Sequence, residues 1–108
     1  MMLNELARRL NDTAVRHGWW DEDKPFPEVI ALCHSELSEA LEEYRANRRL
    51  DEVYLNGDKP EGIPVELADC LIRILDFCGR HGIDIDAALE AKAAYNESRP
   101  FRHGGKKI

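Results

Sequence analysis

The chain has 108 residues, a third of them charged, and a formal net charge of −6, which fits one small domain over 1–108. Its longest unbroken apolar run is Val29 to Cys33, too short to cross a bilayer, and the N-terminus lacks the basic and apolar regions of a secretory signal. Residues 92–108 hold five Lys/Arg against Glu97 alone, so the acid is concentrated in the body. That distribution argues against a duplex-binding basic face and suits a small anion held near a cationic tail.

Helix 1 is expected where Leu3, Leu6, Ala7, Leu10 and Ala14 recur at helical spacing, with Gly18 as its stop. Trp19–Phe26 reads as a connection, and Pro27 suits the first turn of helix 2, which runs to about Asn47. Ile30, Cys33, Leu37, Leu41 and Tyr44 would form its buried face, with Glu36, Glu39 and Glu43 on another. The segment from Leu50 to Ile63 is a loop, and Val53-Tyr54-Leu55 before Asn56-Gly57 signals a short hairpin. Helix 3 is expected from about Pro64 to His81, with Gly82 beyond its end. Leu67, Cys70, Leu71, Ile74, Leu75 and Cys78 would be its apolar side, and Glu66, Asp69, Arg73 and Asp76 its polar stripe. Asp84 or Asp86 caps helix 4, where Ile85, Ala88, Leu89 and Tyr95 would be buried before Pro100 closes it. The architecture implied is all-α, a four-helix-bundle-like protomer completed by oligomerisation as a homodimer or homotetramer. Cys33, Cys70 and Cys78 form no CxxC pair and read as buried thiols, which places the expectation in the cytoplasm.

Glu36 and Glu39 lie three apart on one helix, so both project from the same side. Glu66 and Asp69 repeat that spacing on the next helix. Two packed helices lie about 8–10 Å apart, so the four carboxylates can converge. Converged acids either point into water or take a cation, and all-oxygen ligation suits Mg²⁺, or Mn²⁺ in its place. A di-iron carboxylate bundle needs ExxH motifs, which are missing here.

Glu36-Leu-Ser-Glu39, 26 intervening residues and Glu66-Leu-Ala-Asp69 resemble the ExxE…ExxD pattern of the MazG-like all-α nucleoside triphosphate pyrophosphohydrolases. His34–Arg45 resembles that family's first metal helix and Pro64–Asp76 its second. Lys92, Asn96, Arg99, His103 and Lys106 resemble the tail of its small single-domain members. The resemblance implies Mg²⁺-dependent cleavage of a nucleoside triphosphate between its α and β phosphates, giving monophosphate and pyrophosphate. It also implies Glu36, Glu39, Glu66 and Asp69 as metal ligands; a carboxylate of the cluster could act as general base, for which Glu39 is our candidate. A phosphoribosyl-ATP pyrophosphohydrolase or dUTPase-like enzyme of the same fold stands as an alternative, as does a non-catalytic helical interaction module.

Lys92, Asn96 and Arg99 share one side of helix 4 and are candidates for phosphate and sugar binding; the bland alternative is a solvated polar face. Lys106, beside Gly104-Gly105, either closes over the triphosphate or stays solvated in a basic tail over residues 99–108. Trp20 or Trp19 is a candidate for base stacking, weighed against packing. Arg73 and Asp76 suggest either a surface ion pair or a part in the chemistry. Glu43 is a possible outer ligand, and Glu42 is solvated.

Overall fold

The computed structural model describes residues 2–100, in the order α1 (Leu3–Arg16), α2 (Phe26–Arg45), β1 (Tyr54–Asn56), β2 (Lys59–Glu61), α3 (Ile63–His81) and α4 (Ile85–Ser98). Two helices end as their sequences dictate. Gly18 takes a positive φ, and Gly18 N–H and Trp19 N–H return to the carbonyls of Val15 and Ala14, closing α1 by a Schellman turn. At the end of α2 Asn47 takes the left-handed position. Its own N–H and that of Arg48 return to Tyr44 and Glu43, so α2 stops two residues before the expected Asn47.

α3 is the central element, with α1 and α2 packed along it. Both neighbours run antiparallel to it. Cys33 meets Cys70 within one apolar cluster with Val29 and Phe77, and Phe26 meets Phe77 with ring centroids 5.4 Å apart. On the other side Ala7, Leu75 and Cys78 form a second cluster, with Leu3, Leu6, Leu10 and Ile85 against it. Gly79 allows this approach: a Cβ there would collide with the Ala7 carbonyl. The hairpin expected at Asn56-Gly57 is present, pairing Tyr54 with Glu61 and Asn56 with Lys59. Gly62, which follows it, has φ +127° and sits against the Glu52 carbonyl, where a side chain would be both strained and obstructed.

α4 departs from the bundle expectation. It touches α1 and buries no residue of its own, because its alanine-rich sequence offers no continuous large apolar stripe. Reciprocal capping holds it there instead. Asn4 Oδ1 accepts from the N–H groups of Ile85 and Asp86, while the Asp86 carboxylate accepts from those of Leu3 and Asn4. Asp84 caps its own helix through Ala87 N–H at 3.0 Å. The radius of gyration, 16.5 Å, exceeds the roughly 13 Å of a compact chain of this length. No helix among the described residues is long and apolar enough to cross a membrane.

The buried face of α2 is not the one its leucines suggest. Val29, Cys33 and Ala40 face α3, and Glu36 and Glu43 lie on this same inner side. Leu37, Leu41 and Tyr44 are exposed, as are Leu67, Leu71 and Ile74 of α3. The expected core assignment of these residues is therefore corrected within the single chain. A groove of about 550 Å³ between α1, α3 and α4, lined by residues including Leu6, Leu10, Leu71, Ile74 and Leu89, is apolar throughout.

Candidate metal centre

One oxygen from each of Glu36, Glu66 and Asp69 lies within 4.8 Å of the others. Antiparallel packing of α2 and α3 produces this convergence, because Glu36 sits one turn beyond Cys33 while Asp69 immediately precedes its partner Cys70. Small side chains at Cys33, Ala40 and Cys70 let the helices approach. The carboxylates are only partly exposed, 14% for the Glu36 side chain. Burial, then the charges of Asp69, Glu36, Glu39 and Glu43, push the Glu66 carboxyl up to about 7. Asp69 is also raised, by burial first and Glu36 second, with Arg73 and Lys59 opposing. Three carboxylate oxygen donors, with Arg73 on Glu36 as the cation hydrogen-bonded to them among the described residues, could hold a divalent ion such as Mg²⁺ or Mn²⁺.

Glu39 stands apart from this trio. Its residue is exposed, although its charge reaches Glu66, so it lies at the rim. Glu43 is engaged by the Tyr54 hydroxyl, which donates to its two oxygens at 3.0 and 2.9 Å. The Arg48 guanidinium lies 3.7 Å from the Tyr54 ring centroid. This contact fastens the hairpin to the end of α2, while β2 packs on α3. The hairpin thus closes one end of the gap between the two acidic helices. Glu42 pairs with Arg45 in solvent, as expected.

The Arg73–Asp76 surface pair does not form. Arg73 Nε donates to Glu36 Oε1 at 3.0 Å, and Asp76 is buried with 7% exposure. Asp76 accepts from Trp20 Nε1 at 2.9 and 3.0 Å and from Asn11 Nδ2 at 2.9 Å. Those neutral donors satisfy a carboxylate that burial would otherwise penalise. Trp20, expected as a base-stacking candidate, is 6% exposed and held by packing and by Asp76, with its ring still lining a cleft beside Trp19. Its ring lies close to Lys24 and Arg80 and meets His81 edge-on. Trp19 is the exposed member, and with Lys24 and Arg73 it lines a cleft floored by Asp76.

Lys92 and Arg99 lie over the Tyr95 ring at 4.9 and 5.4 Å, and Asn96 is exposed on the same helix. α4 makes its contacts with α1, so the structure does not bring these three residues to the carboxylates of the same chain. Lys106 lies outside the described residues. Sequence reasoning missed Asn11, Tyr54 and the Arg73–Glu36 pair. The i, i+4 spacing of Asp69 and Arg73 was the available signal for the last. Comparison with protein-family models, curated proteins and solved structures finds no match for this chain.

Proposed function

We propose that the chain is a Mg²⁺-dependent nucleoside triphosphate pyrophosphohydrolase of the MazG-like type, releasing a nucleoside monophosphate and pyrophosphate. The observation that supports it most is the inward turn of Glu36, Glu66 and Asp69 between two helices whose Leu37, Leu41, Leu67 and Leu71 are exposed. A bundle selected only for stability would place those side chains the other way round. Glu36, Glu66 and Asp69 would hold the ion, with Mn²⁺ a substitute. When bound, Mg²⁺ supplies charge neutralisation and Lewis acidity at the phosphates. Glu39, exposed at the rim, would accept a proton from the attacking water. Glu43 is held by Tyr54 and keeps the hairpin end of the site closed.

The exposed leucines of α2 and α3 and the apolar groove beside α1 support a homo-oligomer. A second copy covering them would also give Lys92, Asn96 and Arg99 a carboxylate site to approach. We favour that arrangement over the solvated-face alternative.

The test is a product assay with Mg²⁺ and a panel of standard and modified ribo- and deoxyribonucleoside triphosphates. Equimolar monophosphate and pyrophosphate are expected. Diphosphate with inorganic phosphate, or no turnover across the panel, contradicts the proposal.

A further inference from the structure

Among the described residues, Arg73 is the one cation hydrogen-bonded to Glu36, Glu66 or Asp69. It follows Asp69 by four residues and so shares its helix face. Its Nε holds Glu36 at 3.0 Å, with the Arg73 side chain 30% exposed. Its Nη groups make no hydrogen bond among the described residues. Arg73 also borders the cleft that Lys24, Trp19 and Asp76 line, so one side chain reaches both the carboxylates and the neighbouring opening.

Arg73 and a divalent ion compete for the same Glu36 carboxylate. The pair neutralises Glu36 when the carboxylates hold no metal, and an ion drawing on Glu36 releases the guanidinium. A released guanidinium beside the opening is a two-pronged donor suited to phosphate oxygens. We propose that Arg73 changes partner, neutralising Glu36 in the metal-free site and binding the phosphates of the incoming triphosphate once a divalent ion occupies Glu36, Glu66 and Asp69. This rests on the metal-site reading above and adds to it a binding order and a phosphate ligand. Metal alone must break the Arg73–Glu36 pair, whereas metal with a polyphosphate gives the guanidinium a new anion. The two ligands therefore bind cooperatively, and the coupling is reciprocal.

The experiment is calorimetric titration of the intact chain with Mn²⁺ alone and with the Mn²⁺ complex of inorganic tripolyphosphate, for wild type, Arg73→Gln and Arg73→Lys. Arg73→Gln should bind Mn²⁺ alone about threefold more tightly, the scale of a part-exposed ion pair. It should bind the Mn²⁺–tripolyphosphate complex about tenfold more weakly. Arg73→Lys should keep the wild-type Mn²⁺ affinity and lie between the two for the complex. It carries the test if circular dichroism shows that the glutamine variant does not fold. A glutamine variant whose Mn²⁺ affinity is unchanged or weakened, or a lysine or glutamine variant that binds the complex as wild type does, overturns the arginine proposal and leaves the metal site standing. A wild-type chain that binds no Mn²⁺ overturns both.

Discussion

Glu66 is the residue on which the site's electrostatics turn. Its carboxyl titrates near 7 against an ordinary value of 4.5, so the folded chain holds this proton more tightly than the unfolded one. The sign follows from linkage: this group's contribution to stability is greatest below about pH 4.5 and falls as pH rises towards 7. Glu66→Gln should flatten that fall, visible as a smaller loss of Tm between pH 5 and pH 7. In the proposed metal site a divalent ion displaces the same proton, so Mg²⁺ should raise Tm more near pH 8 than near pH 5.5. An equal rise at both pH values would remove Glu66 from the ligand set. Glu66→Gln and Asp69→Asn should each lower turnover by at least about 100-fold while keeping the helical circular dichroism signal. Asp76 acts differently, through packing. Asp76→Leu strands the buried Trp20 indole N–H and takes the partner of the half-buried Asn11 amide. It should cost about 2–4 kcal/mol in chemical denaturation and shift the tryptophan fluorescence.

At the scale of elements, α3 organises everything because both neighbours pack on it. Gly79 sits at the closest approach of α1. Alanine is ordinarily the better helix residue by about 1 kcal/mol, but here its methyl would meet the Ala7 carbonyl. Gly79→Ala should therefore destabilise the chain, by about 1–3 kcal/mol, and a gain in stability would show that α1 and α3 lie further apart. The helices, their glycine stops, the hairpin at Asn56-Gly57 and the convergence of Glu36 with Glu66 and Asp69 were legible in the sequence. They follow from local chemistry and from helical spacing. The buried face of α2 was not, because periodicity reports which residues share a side and not which side turns to α3. Two apolar sides and one acidic side fit the same pattern. Asp76 was misread for a related reason: its partners Trp20 and Asn11 are distant in sequence, and Arg73 stood close by.

At the scale of the molecule, the exposed leucines are the outstanding feature. Leu41 and Leu71 are 57% and 58% exposed, on helices that also carry the acidic site. The proposed second copy, packing on these exposed leucines, would account for both the open shape and the outward side chains. Leu71→Glu should shift the assembly to monomer in light scattering coupled to size exclusion. If wild type is itself monomeric at micromolar concentration, the oligomer is ruled out. The proposed chemistry depends on the carboxylates holding a metal ion. That is tested most directly by anomalous diffraction from crystals grown with Mn²⁺ and a non-hydrolysable triphosphate. A peak roughly 2.1 Å from oxygens of Glu36, Glu66 and Asp69 is the predicted result, and density maps with no Mn²⁺ at those three side chains would contradict it.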